Sequence, residues 1–196
     1  MTYRSALIAI TLSATIATSV VAQGPRRALP SGRATTEVSL TFVDSAERAA
    51  AQPAVIRIDY GQPHLRGRKL FTDSLVPYDK PWRTGANSAT KLTTDVDLVI
   101  GGASVPKGTY VIQTLPSREG WKLLIQKEVA QPSTASAISD NELRDVARVD
   151  LRQTALQTPL ESLTMWLVPS RQHGTPRGEL ILAWAGIALA TDWSVK

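Results

Sequence analysis

Apolar and polar residues alternate along much of this chain, the period-two pattern of a strand with one buried face. Val38, Leu40 and Phe42 alternate with Glu37, Ser39 and Thr41. Ile56, Ile58 and Tyr60 alternate with Val55, Arg57 and Asp59. The pattern lapses after Tyr60 and resumes at Leu92, Thr94, Val96, Leu98 and Ile100. Further runs follow at Tyr110, Ile112 and Thr114, at Trp121, Leu123 and Ile125, and at Val149 and Leu151. Leu163, Met165 and Leu167 alternate with Thr164, Trp166 and Val168, so that strand is predicted to be buried on both faces. Leu180, Leu182 and Trp184 make the next run, and Leu189, Thr191, Trp193 and Val195 the last.

Turn signals separate most of these runs. Gly101 and Gly102 interrupt one, Pro106 and Gly108 suit a tight turn, and residues 116–120 suit a hairpin loop. Asp44 and Glu47 have capping-box spacing before an alanine run that Pro53 stops, which predicts a short helix over 44–52. Ser139 and Glu142 predict a second short helix before Ala147. The sum is an all-β chain, an antiparallel β-sandwich, jelly-roll-like or immunoglobulin-like, with about nine strands and one or two short helices. Strands do not alternate with long helices, which argues against a parallel α/β sheet.

Composition narrows the setting. The 196 residues include no cysteine, which excludes disulfides, thiolate metal sites and a cysteine nucleophile. Hydrophobic residues make up 43%, too many for a disordered tail. Arg4 is followed by an uncharged, mostly apolar run over 5–21, and Val20 and Ala22 fit a cleavage site before Gln23. This is the layout of a secretory signal peptide, so residues 1–22 are expected to be removed and the protein exported to the periplasm or secreted. Removing these 22 residues, of which only Arg4 is charged, from a chain of 196 with net charge +5 leaves 174 residues carrying +4. Residues 23–33, rich in Gly, Pro and Arg, read as a flexible leader. No repeat or linker divides the remainder, so 34–196 is expected to be one domain, with no transmembrane span once the signal is gone.

The interrupted segment from Asp59 to Thr90 draws attention. It gathers Arg66, Arg68, Lys69, Arg83 and Asn87 with the aromatics Tyr60, Phe71, Tyr78 and Trp82, among glycines and prolines that shape turns. A long loop on a β scaffold is a usual place for binding groups. Arg83 offers a planar fork for a carboxylate, phosphate or sugar diol, and Asn87 offers both donor and acceptor. Tyr78 and Trp82 would stack on a ligand, while Arg66, Arg68 and Lys69 form a basic trio and Asp59 a nearby carboxylate. The competing expectation is that Arg83 and Asn87 bond loop carbonyls and hold the segment in shape.

In this segment the chain resembles the domain of unknown function 2911 family. The resemblance lies in Val76-Pro77-Tyr78, Trp82-Arg83-Thr84-Gly85-Ala86-Asn87 and Ala89-Thr90, preceded by Gly67-Arg68-Lys69-Leu70-Phe71. Pro106-Lys107-Gly108-Thr109-Tyr110 and the Trp121 strand extend it, from about Ala34 to Val195. The chain departs from the family pattern at Ser88, where a glutamate is common. The resemblance implies an exported bacterial β-rich domain with no established activity.

Motifs for specific chemistry are sparse. His64 and His173 have no paired ligand spacing, and Asp95 and Asp97 read as a solvated strand face, so no metal and no cofactor is expected. Ser88 and Lys91 have Ser-x-x-Lys spacing and Ser139-Asp140-Asn141 spells a second element of the penicillin-recognising enzymes. Lys107-Gly108-Thr109 is permuted and precedes that second element, and Lys91 opens a strand, so the match is coincidental. A pI near 9.7 is no sign of nucleic acid in an exported domain. Three functions stay open, with no catalytic residue assigned. The first is a non-enzymatic domain that binds a small polar or glycan-like ligand, or an envelope protein, through the 60–90 loop. The second is a hydrolase of an envelope ester or glycan using Asp59 or Asp79 near Arg83. The third is a purely structural or interaction module.

Overall fold

A computed structural model describes residues 24, 26–72, 74–128 and 145–196. Nine antiparallel strands and one short helix are found there, and the all-β expectation holds. In chain order they are β1 (Ser31–Leu40), α1 (Ser45–Ala50), β2 (Ala54–Pro63), β3 (Thr90–Thr94), β4 (Leu98–Ile100), β5 (Ala103–Val105), β6 (Gly108–Pro116), β7 (Trp121–Lys127), β8 (Asp145–Pro169) and β9 (Arg177–Val195). They form one open sheet in the order β1-β2-β3-β6-β7-β8-β9-β4-β5.

The number of strands agrees with the alternation count, but the partition differs. The run from Leu92 to Ile100 breaks in two because Asp95 and Asp97 are not on a strand face. The Asp95 carboxylate accepts the Val55 N–H (2.9 Å) and that of Asp97 accepts the Lys107 N–H (2.8 Å). Short acidic side chains compete with the ladder for backbone donors in this way. Gly101 and Gly102, at φ 54° and 85°, make the two-residue turn of a β4–β5 hairpin. Two positive φ values in succession suit a type I′ turn, which favours glycine. The short strand β5 was hidden by that glycine pair.

Elsewhere separate runs fuse. Val149 and Leu151 belong to the same strand as Leu163–Leu167, and Leu180 to the same strand as Val195. The first part of β8 pairs with β7, as Leu123↔Val149 shows, and the rest pairs with β9, as in Leu167↔Leu180. Register shifts between Ala155 and Leu160, and again between Leu160 and Thr164, let β8 bulge against β9. β1 begins at Ser31, where Ser31↔Pro63 opens its pairing with β2, so the expected leader contributes its last three residues to the sheet. Phe42, expected to face the core, lies beyond β1 and is 50% exposed. Trp166 and Val168 are 41% and 43% exposed, so that part of β8 is buried on one face only.

Helix α1 matches its sequence signal. Asp44 caps it by accepting the N–H groups of Ala46 (2.8 Å) and Glu47 (3.0 Å). The expected helix after Ser139 falls over 139–144, outside the described residues, and Asp145 onward is strand.

The core takes alternate residues from both ends of the sheet. Ile56 and Ile58 of β2, Leu92 of β3, Ile112 of β6 and Leu123 and Ile125 of β7 are essentially inaccessible. They share one small internal void with Leu167 of β8, Leu180 and Trp193 of β9. Each such side chain contributes about 1.5–3 kcal/mol through burial. Trp121, Trp184 and Trp193 are all buried, as their strand phase predicts.

The β8 edge that faces away from β9 is met by side chains of β1 and β2. Tyr60 Oη accepts the Met165 N–H (3.1 Å), and Thr36 Oγ1 accepts the Leu167 N–H (3.0 Å). Gln62 Nε2 donates to the Leu163 carbonyl (3.0 Å). These bonds replace ladder partners for an edge that would otherwise be bare.

Candidate functional site

The segment after β2 makes no strand of its own, yet neighbours fix it at each stage. Leu65 N donates to the Glu161 carbonyl (2.8 Å), and Arg66 N to the Glu161 carboxylate (2.6 Å). Arg68 curls over this turn, its Nε on the Leu65 carbonyl (3.0 Å) and its Nη2 on that of His64 (2.7 Å). Leu70 and Val76 are buried and pin the middle of the segment to the core. Asp79 N then donates to the Pro116 carbonyl (2.8 Å), and Trp82 exchanges two backbone bonds with Thr114 (2.7 and 2.9 Å).

The string from Trp82 to Asn87 is built by its small residues. Ala86 N donates to the Gly61 carbonyl (3.0 Å). A Cβ on Gly61 would stand 1.7 Å from the Ala86 carbonyl oxygen, and one on Gly85 would stand 2.8 Å from the Gly61 oxygen. Only glycines permit so close a backbone crossing. Thr84 is fully buried; its hydroxyl reaches Thr114 Oγ1 (3.1 Å), and its carbonyl accepts the Thr90 hydroxyl (2.9 Å). Thr84 and Asn87 both hold positive φ, 54° and 62°. For a β-branched residue this is an outlier costing of order 1–3 kcal/mol, of the kind that gathers at functional sites.

The outer side of the string opens on a cleft of about 440 Å³, between the segment and the start of β1. Its polar lining comprises Arg68, Arg83, Asn87, Ser31 and Ser74; its walls are four prolines, Leu75 and Trp82. Arg83 Nη1 donates to the Asn87 carbonyl (2.7 Å), and Asn87 Nδ2 donates to Ser31 Oγ (2.9 Å). Both residues are exposed, and among the described residues each side chain donates one such bond, which leaves further donors on both. Trp82 stacks on Trp184 at 5.9 Å and 14°.

Of the eight candidates, four line this cleft: Arg68, Trp82, Arg83 and Asn87. The other four lie elsewhere. Tyr78 is stacked on Phe71 (4.6 Å) beneath the Arg118 guanidinium (5.2 Å), so both its faces are engaged. Asp59 pairs with Arg33 and accepts the Thr35 hydroxyl (3.1 Å). Arg66 and Lys69 are exposed and outside the cleft lining. Asp79 lines a second cleft of about 320 Å³, with Glu119, Asp150 and Lys122. No carboxylate or histidine among the described residues lines the Arg83 cleft.

Two contributions escaped the sequence. Ser31 comes from the stretch read as leader, and only the β1–β2 pairing brings it to Asn87. His64 meets Ser162, Nδ1 to Oγ 2.7 Å, across an isolated bridge of residues 98 positions apart. That pair has the reach of a nucleophile and base, but it lines none of the clefts described. Lys91 is bound to Glu128 (2.6 Å) rather than to Ser88. Among the described residues no group of three His, Asp or Glu side chains is placed to hold a metal, and no helix is long and apolar enough to cross a membrane.

The sequence model of the family described as Protein of unknown function (DUF2911) matches residues 44–192. No curated protein and no solved structure matches the chain.

Proposed function

The chain belongs to the DUF2911 family, and from that premise we propose that it is an exported domain that binds a small polar ligand, such as a glycan fragment, in the Arg83 cleft. The observation that carries this is the division of labour inside the Trp82–Asn87 string. Gly85 and Ala86 cross Gly61 and the buried Thr84 bonds Thr114, which fixes the backbone, while the side chains of Arg83 and Asn87 stand exposed at the cleft with hydrogen-bonding capacity left over among the described residues. The guanidinium has five N–H donors and spends one on the Asn87 carbonyl. A volume of about 440 Å³ suits a small molecule. Export rests on the leader, with Arg4, the apolar run and Ala22 before Gln23.

A thermal-shift screen of metabolites and glycans tests this. At least one compound raises Tm in the wild type and not in Arg83→Ala, which itself melts as a folded protein. Absence of any response in the wild type overturns the ligand site. An Arg83→Ala variant that does not fold assigns Arg83 to holding the loop instead. Export is checked by N-terminal sequencing of the protein recovered outside the cytoplasm, which is expected to begin at Gln23.

A further inference from the structure

We infer that the cleft recognises an oxyanion, a carboxylate or phosphate carried on a small molecule with a flat or apolar body. This rests on the cleft being a ligand site, as proposed above. The charged side chains among the described lining residues are both guanidinium groups, those of Arg68 and Arg83. Arg68 holds its Nε and Nη2 on two backbone carbonyls, which fixes the plane of the guanidinium and leaves Nη1 without a partner among the described residues. Among the described residues Arg83 is held through Nη1, which leaves Nε and Nη2. Ser31 Oγ accepts from Asn87 Nδ2, so its own proton is available to donate.

Against these donors, no Asp or Glu among the described residues lines the cleft. Asp79, four positions before Arg83, lines the other cleft. Two anchored guanidinium groups without a described counter-charge form a preorganised anion site, since an anchored fork loses little freedom on binding. Pro63, Pro77, Pro81 and Trp82 supply stiff apolar walls for the remainder of the ligand.

The test uses three matched probes: glucuronate, glucose 6-phosphate and glucose. Each is titrated into the protein while the Trp82 indole N–H is followed by NMR. Either or both anionic sugars move that resonance to saturation, and glucose does not. A response to glucuronate alone identifies a carboxylate, and one to glucose 6-phosphate alone identifies a phosphate. Arg83→Ala and Arg68→Ala each weaken the binding about tenfold or more, and added salt weakens it further. Arg68→Ala gives the reading if Arg83→Ala does not fold. Glucose binding as tightly as either anion, unchanged by both substitutions, overturns oxyanion recognition and leaves a neutral-ligand site. So does silence from both anions while a neutral compound of the screen moves Trp82. No response to any compound of that screen overturns the ligand site itself.

Discussion

The 60–90 segment and the bulged arm of β8 and β9 both abandon the alternating pattern, and they are held in opposite ways. The segment is clamped from outside. Gly61 and Ala86 cross backbone to backbone, Thr114 grips Trp82, and Glu161 grips Leu65 and Arg66. The arm is held by its own ladder, with Arg152–Ala190 through Ala155–Ile187 paired and most of residues 152–159 exposed. A clamped loop fixes side chains on the rim of a cleft; the arm commits its Arg152 fork to Asp192 and Glu179 of β9. This explains why the cleft with oriented donors is formed by the segment without regular structure.

Substitutions separate the two regions, and the largest effect is expected at the crossing. Gly61→Ala sets a methyl 1.7 Å from the Ala86 oxygen, and the segment must leave β2 to accommodate it. Destabilisation of about 3 kcal/mol is expected, which lowers Tm by roughly 6–12 °C in a calorimetric scan. A wild-type melting temperature in this variant would mean that the segment is not clamped.

Tyr60 lies next, at the joint between the regions. Tyr60→Phe leaves the buried Met165 N–H without its acceptor, a loss of about 1–3 kcal/mol in urea unfolding. Burial raises the hydroxyl's pKa above its ordinary 10.0, with the Met165 N–H pulling the other way. The folded protein therefore keeps this proton to higher pH than the unfolded chain does. Its contribution is complete below pH 10 and is lost as pH rises through the folded value. The urea midpoint of the wild type is expected to fall more steeply above pH 10 than that of Tyr60→Phe. Tyr110, raised by burial and then by the charge of Asp97, adds a parallel decline common to both proteins.

Arg83→Ala should change stability within about 0.5 kcal/mol, because the side chain is exposed on the rim of a segment held by others. Gly186→Ala in β9 is the smallest and the control for Gly61. Nothing lies within 4 Å of the added methyl, and Tm should hold or rise slightly. A Gly186 effect as large as that of Gly61 would erase the distinction between the two regions.

Local signals reached the eye from the sequence; contacts across the chain did not. The strands at Ile56, Tyr110 and Trp121 were legible because alternation is a property of neighbours, and α1 because Asp44 caps within its own turn. The fusion of β8 was not legible. Between Arg152 and Glu161 the strand is exposed and bulged, and an exposed strand has no apolar face to show. Trp82, Arg83 and Asn87 were legible as a motif, and Arg68 as one of a basic trio. The sorting of Arg68 from Arg66 and Lys69 was not, since it depends on which way one turn faces. Tyr78 reads as a stacking platform in the sequence, but its ring is taken up by Phe71 and Arg118. Ser31 and the Gly61 crossing were hidden for the same reason: each matters only through a partner far along the chain.

The side-chain stitching of β8 to β1 and β2 bears on the order in which the molecule assembles. Its bonds join residues 101 to 131 positions apart, far beyond the reach of any hairpin. Contacts of that separation must recover a large loop-closure entropy, and they form after local pairings have shortened the effective loop. A growing chain presents Thr36, Tyr60 and Gln62 long before Leu163, Met165 and Leu167 exist to receive them. Until synthesis passes that point, β1 and β2 have only the strands up to β7 and the 60–90 segment to lean on, and the seam stays open.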